Sequence, residues 1–236
     1  MKKKSNLEAV KSMAKSFLYM DIQFSEIPVI IYHPVFETTV HPAMVNGDWK
    51  MLNLLNEEEL SMARKAFISV LEKQSTIFNV TMLIRKPYQL CFLKYIRQYL
   101  SKEDRDKLLA SVWVNVENPN QDANVSLRTA ASWFRQANKK YLMDTDEFAY
   151  YEKLPQHLTV YRGVSVGRNP NGLSWTWSME TAKWFAHRFD IADEKGYIQM
   201  ATVDKSEILA YFNGRDEDEL VIDTSKIKER IEIVHE

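Results

Sequence analysis

The chain has 236 residues, of which 45% are hydrophobic and 27% charged, with a formal net charge of −1. That length holds a real core, as one large domain or two small ones, and the composition is that of a folded chain rather than a disordered one. A charge near zero disfavours nucleic-acid binding by broad phosphate neutralisation and leaves open only a local basic groove.

In chain order, the start "MKKKSNLEAVKSMAKSFLYM" has the basic end of a signal peptide, but Glu8, Lys11 and Lys15 interrupt any apolar core. An amphipathic helix is expected there instead. "IPVIIY", Ile27 to Tyr32, is a short β-rich run closed by His33-Pro34, and "VNGD" at 45–48 signals a turn. Asn56 followed by Glu59 has capping-box character and opens the helix pattern "EEELSMARKAFISVLEKQ". A second helix is expected from Pro87 to Leu100. Ser101 with Asp104 then begins a third, "KEDRDKLLASVWV". The single cysteine, Cys91, lies in the apolar helical run "YQLCFLKYI". It cannot close an internal disulfide, so it reads as a buried small hydrophobe in a reducing interior rather than a catalytic thiol. No run reaches the length of a membrane span, and a cytoplasmic protein is expected.

"ENPNQDAN", Glu117 to Asn124, is the strongest loop signal, and the helix pattern "VSLRTAASWFRQANKKYLM" follows it. From Leu158 the character changes to short β-rich runs: "LTVYRGV", "LSWTWS", "YIQMATV", "EILAYF" and "ELVID". One helix, "METAKWFAHRFD", interrupts them, with Ala182, Phe185, Ala186 and Phe189 at the spacing of one apolar face. A helical middle therefore precedes a mostly β last third.

The five histidines show no metal-ligand spacing, and the common phosphate-loop and nucleophile-elbow motifs are absent. Three features of the β-rich third carry candidate chemistry. Arg162 stands in a strand that otherwise reads as core, followed by Gly163; it is either an edge arginine paired with a surface carboxylate or a ligand-holding cation beside a close backbone approach. In "SWTWS" strand alternation puts Ser174 and Thr176 on one face, as a solvated polar row or as the lining of a polar site. Trp175 and Trp177 read as core on the other face, and Ser178 as the N-cap of the following helix. In "NGRDEDELVID", Glu217 and Glu219 share a face if the strand has begun by then. The alternative is an acidic turn ahead of the strand.

Taken in order, the strand Arg162, the Ser174-x-Thr176 strand followed by a helix with Ala182 and Phe185, and Glu217-x-Glu219 running into an apolar strand resemble the R-S-E class of ADP-ribosyltransferases, the cholera-toxin-like mono-ADP-ribosyltransferases. The resemblance covers Leu158 to about Ile222, with a helical lead-in from about Ser101. It departs from the family at Trp175 in the middle of the Ser-Thr-Ser strand and at Thr176 for its last serine.

The resemblance implies an α+β fold with a split, mainly antiparallel β core and helices over residues 101–236; it says nothing of residues 1–100, which read from the chain itself as a mixed, largely helical region of unknown role. It implies NAD as co-substrate, held by Arg162, Gly163, Ser174 and Thr176, with no metal. Glu219 is the implied catalytic carboxylate, oriented by Ser174 and stabilising an oxocarbenium-like ribose. Glu217 is implied to face a protein acceptor, an arginine. Three alternatives stay open: an NAD glycohydrolase on the same fold, a non-catalytic partner-binding module, and a nucleic-acid modifier, which the net charge disfavours.

Overall fold

Side-chain oxygens open most helices of this chain. Asn6, Asn56, Thr76, Ser126, Asn138, Asp144, Ser178 and Asp223 each accept a hydrogen bond from a backbone N–H of the first turn. The computed structural model describes residues 4–234; the first three residues of the basic start, and the last two of the chain, lie outside them. Two units are present. The first runs to Leu108 and includes Asn115–Glu117; the second comprises Leu109–Val114 and continues from Asn118.

The first unit contains α1 (Leu7–Leu18), the two-stranded pairs β1 (Gln23–Phe24) with β2 (Ile31–Tyr32) and β3 (Val40–Val45) with β4 (Asp48–Asn53), and the helices α2 (Glu57–Glu72), α3 (Ile77–Met82) and α4 (Lys86–Ile96). Helix α5 (Lys102–Asn115) contributes its beginning to this unit and Leu109–Val114 to the second. Leu18, Ile31, Phe36, Ala43, Leu52, Leu54 and Ala63 form one buried cluster. The expected turn at 45–48 joins β3 to β4, with Asn46 and Gly47 both in the left-handed region (φ 55° and 92°), as a two-residue hairpin turn requires.

Three local expectations change. "IPVIIY" is strand only at Ile31–Tyr32, because a turn about Ile27, closed by the Ile30 N–H on the Ile27 carbonyl, occupies its start. Glu59 accepts from the Asn53 N–H at 2.6 Å, so the box expected at Asn56 closes three residues further back. The helix expected from Pro87 to Leu100 stops at Ile96 and ends in a 3-10 turn, Arg97–Tyr99.

The second unit contains α6 (Leu127–Gln136), α7 (Lys139–Leu142), α8 (Thr145–Lys153), β5 (His157–Val164), β6 (Ser174–Thr176), α9 (Met179–His187), β7 (Tyr197–Asp204), β8 (Ile208–Phe212), β9 (Glu219–Ile222), α10 (Thr224–Ile227) and β10 (Glu232–Val234). The long helix pattern after Val125 divides at Ala137, where the backbone is extended and Asn138 caps a new turn. The six strands form one antiparallel sheet in the order β10-β7-β5-β6-β9-β8. The chain is therefore α+β. Where the resemblance implies a split core, the ladder is continuous, but at the β5–β6 joint it narrows to the single register pair Tyr161↔Thr176.

Helix α9 lies against β5. Its Ala182 and Ala186 are fully buried with Ile198, beside Tyr161. A β-carbon at Gly163 would collide with the Ala182 carbonyl oxygen, the Ala186 nitrogen and the Phe185 β-carbon. The missing side chain at Gly163 thus seats the helix. Among the described residues, no helix is long and apolar enough to cross a membrane.

Candidate functional site

Register fixes what faces what. Thr176 of β6 lies opposite Glu219 of β9 and opposite Tyr161 of β5, and Glu219 lies opposite Phe212 of β8, so these four form one row across the sheet. Ser174 is two residues before Thr176 and shares its face. Glu219 is the first residue of β9 and is half-buried. Its Oε1 accepts from Trp113 Nε1 at 2.9 Å, and the Ser174 hydroxyl is also hydrogen-bonded to its carboxylate. Burial raises the pKa of Glu219 above the usual carboxylate value, the bonds from Ser174 and Trp113 work against that rise, and Glu217 adds to it.

The Ser174 hydroxyl is itself held. Asn120 Nδ2 donates to Ser174 Oγ at 2.9 Å, while Asn120 Oδ1 accepts from the Leu173 N–H at 2.6 Å. Asn120 belongs to a 3-10 turn, Pro119–Gln121, inside the expected loop.

Arg162 is 8% exposed and lies on the buried face of β5 with Val160 and Val164, the face opposite the Glu219 row. It is no edge arginine with a surface partner. Its Nη1 donates to the Ser174 carbonyl at 2.5 Å and its Nη2 to the Asn169 carbonyl at 2.9 Å. Its Nε is buried with no hydrogen-bond partner among the described residues. Gly172 makes room for the guanidinium, since a β-carbon there would overlap it. Burial pulls the Arg162 pKa down to about 10, and the charge on Glu219 pulls it back up. The two groups feel each other's field without touching.

Three of the sequence-based expectations are corrected by this geometry. Gly163 does not clear an approach for a ligand, because α9 fills the space. Thr176 is buried and its hydroxyl accepts from the Ser178 N–H at 3.1 Å, so it serves the turn into α9 rather than lining an open cleft. Glu217 precedes the strand: β9 begins at Glu219, and Asp216 and Asp218 on either side of Glu217 have φ of 55° and 47°. The acidic turn is tied down by Asp218, whose N–H donates to Asn213 Oδ1 and whose carboxylate accepts from the Tyr211 hydroxyl. Burial raises the Glu217 pKa, with Arg215 and Arg188 opposing the rise.

The tryptophans divide. Trp175 is core, and its Nε1 donates to Thr224 Oγ1 at 2.9 Å. Trp177 is half-buried, stacks with Tyr150 and packs tilted against Tyr211, with ring centroids 5.0 and 5.1 Å away. Ser178 caps α9 as expected.

A cavity of about 540 Å³ lies elsewhere in this unit, lined by His187, Asp190, Lys195, Gly196, Tyr197, Ile198, Ile233 and Val234, and shares no residue with the Glu219 site. Among the described residues no group of three or more His, Cys, Asp or Glu side chains is placed to hold a metal. The residues that sequence reasoning missed are Trp113, Asn120 and Gly172. Trp113 reads as one more apolar residue of a helix and Asn120 as one more polar residue of a loop; no spacing ties either to Glu219. Comparison with family models, curated proteins and solved structures finds no match to this chain.

Proposed function

We propose that the second unit is an NAD-dependent mono-ADP-ribosyltransferase that moves ADP-ribose to a protein arginine with release of nicotinamide. The observation that carries this reading is Glu219: a half-buried carboxylate with two donors aimed at it, on the strand next to one that begins with Ser174. NAD supplies a bond between nicotinamide and ribose whose cleavage builds positive charge on the ribose. A carboxylate already oriented stabilises such charge without having to reorganise as it forms.

The residues fit a dinucleotide with Arg162 in a changed role and with Gly163 and Thr176 taken up by α9 and the turn into it. Arg162 gives both terminal nitrogens to backbone carbonyls, so it positions the Ser174 strand. What it offers a ligand is a positive field that no bonded carboxylate neutralises and the unpartnered Nε. Glu217, held above the usual carboxylate range by burial, is proposed to face the acceptor guanidinium and take its proton. The chain's single cysteine, Cys91, is half-buried rather than buried as expected, and a lone cysteine suits a reducing compartment as the setting.

The test uses two assays on the full chain: nicotinamide release from NAD, and label transfer to agmatine and to protein in cell extract. Glu219→Gln is expected to lose both activities, and Glu217→Gln to lose transfer while keeping slow hydrolysis. A parent protein that hydrolyses NAD but labels no guanidine or protein is a glycohydrolase. One that does neither, and shows no calorimetric heat with NAD, overturns the reading.

A further inference from the structure

The donors around Glu219 come from segments far from it in sequence; Trp113 is 106 residues upstream. The Trp113 side chain is 1% exposed and meets the Phe134 ring edge-on, with centroids 5.1 Å apart at 89°. Packing therefore fixes the direction of its N–H, and an indole offers one donor and no acceptor. On the other side, the Leu173 N–H needs an oxygen, which turns the Asn120 amide so that its nitrogen faces Ser174 Oγ. With the serine oxygen accepting that bond, the single hydroxyl proton is directed to Glu219. The result is a one-way chain from Leu173 through Asn120 and Ser174 to the carboxylate, which Trp113 also meets.

We propose that Trp113 and Asn120 are positioning residues for Glu219: Trp113 binds its Oε1 directly, and Asn120 fixes the Ser174 hydroxyl that donates to the same carboxylate. The catalytic half of this proposal rests on the transferase reading; the coupling of both residues to the ionisation of Glu219 does not. The other charged groups acting on that carboxylate are Arg162 from β5 and Arg215 and Glu217 from the turn before β9. All three are kept in the variants below, so a change in Glu219 titration belongs to the two donors.

The experiment has two arms on the full chain. In the first, the indole N–H resonances of the six tryptophans are followed against pH, the Trp113 signal being identified by its loss in Trp113→Phe. That signal is expected to move as Glu219 ionises, above the ordinary carboxylate range, and to lose the movement in Glu219→Gln. In Asn120→Ala its midpoint is expected to move up, because the carboxylate loses an oriented donor. In the second arm, Trp113→Phe and Asn120→Ala each lower kcat for nicotinamide release ~10- to 100-fold, the size expected for one hydrogen bond to a charged group. They also shift the acid limb of the pH profile upward and leave KM for NAD within about twofold of the parent.

A Trp113 resonance indifferent to Glu219→Gln overturns the role of Trp113, and an unchanged midpoint in Asn120→Ala overturns that of Asn120. Folded variants with the parent's kcat and acid limb overturn the catalytic half. If Trp113→Phe does not fold, sequence-specific resonance assignment of the parent identifies the Trp113 signal, and comparing the parent with Glu219→Gln still decides the coupling. If the parent releases no nicotinamide, the transferase reading falls and the indole titration alone decides the positioning.

Discussion

Each unit uses an arginine as a clamp on backbone carbonyls, half-buried in the first and buried in the second, and the two clamps differ in their counter-ion. In the first unit Arg85 Nη1 donates to the carbonyls of Ile31, His33 and Phe36, and its Nη2 meets Glu37 Oε1 at 2.8 Å. The charge that ties this loop together is neutralised by a carboxylate at the rim. In the second unit Arg162 holds two carbonyls in the same way, but the charge it feels, on Glu219, is not bonded to it. A clamp with its own counter-ion is finished as a structural device. One without a bonded counter-ion keeps a positive field in a low-dielectric setting, where an anion gains most from it.

The comparison can be broken in four ways, from the largest effect to the smallest. Glu219→Gln keeps size and removes charge, and should lower nicotinamide release ~100- to 1000-fold in a steady-state assay. The same change should raise the melting temperature at neutral pH. The folded-state pKa of Glu219 is raised, so the parent's stability falls as pH climbs from the ordinary carboxylate range through that raised value. The gap between variant and parent should therefore close as pH is lowered to the ordinary carboxylate value. A gap that widens on acidification would show that Glu219 is stabilised, not strained, by its surroundings.

Arg162→Ala and Arg85→Ala should part company in a thermal-shift experiment with NAD. At about a hundredfold over its dissociation constant, NAD should stabilise the parent by roughly 2.7 kcal/mol. Arg162→Ala should lose most of that gain. Arg85→Ala should keep it while costing about 1.5–3 kcal/mol of stability without ligand, the range for hydrogen bonds to a charged group. Equal losses of NAD stabilisation in both variants would erase the distinction.

Gly163→Ala tests whether that glycine serves packing alone. Forcing a methyl group into the backbone of α9 should cost about 1–3 kcal/mol in denaturant unfolding, while NAD affinity per folded molecule stays that of the parent. At neutral pH the smallest effect belongs to His33 in the first unit, whose contribution changes only on acidification. It is 0% exposed, its Nδ1 accepts from the Val35 and Phe36 N–H groups, and burial lowers its pKa to about 4. The unfolded chain binds that proton more readily, so the His33 contribution is complete above about pH 6.5, the ordinary histidine value, and fades as pH falls toward 4. Denaturant curves at a series of pH values should show this decline in the parent and not in a His33→Asn variant.

The strands and the caps were legible because their signals are local. "LTVYRGV", "YIQMATV" and "ELVID" are β-rich runs in themselves, and Ser178 needs only the three residues after it to cap a helix. The pairing of Ser174 with Glu219 was readable only through a resemblance, since register depends on contacts 45 residues apart in number that no spacing announces. Asn120 and Trp113 were not legible at all. A hydrogen bond between a helix, a loop and a strand leaves no period in the sequence, and an indole that donates to a carboxylate looks the same on paper as one that only fills space. Thr176 and Gly163 were misread for a related reason: a hydroxyl and a missing side chain are equally useful to a ligand and to a neighbouring turn or helix, and only coordinates say which has taken them.

The narrow joint between β5 and β6 has a mechanical meaning. A sheet resists shear rung by rung, and here the whole load between Arg162's strand and Glu219's neighbour crosses one rung, Tyr161↔Thr176, with the Arg162 guanidinium on the Ser174 carbonyl as a side-chain strut beside it. By contrast, β5 and β7 share eight register pairs, His157↔Asp204 to Val164↔Tyr197. Pulled or thermally agitated, the sheet should yield along this seam first, and amide exchange at Thr176 should outpace that of the β5–β7 ladder. The strut that stiffens the seam is the side chain whose charge is proposed to attract the ligand, so an anion drawing on that guanidinium would change the compliance of the sheet as it binds.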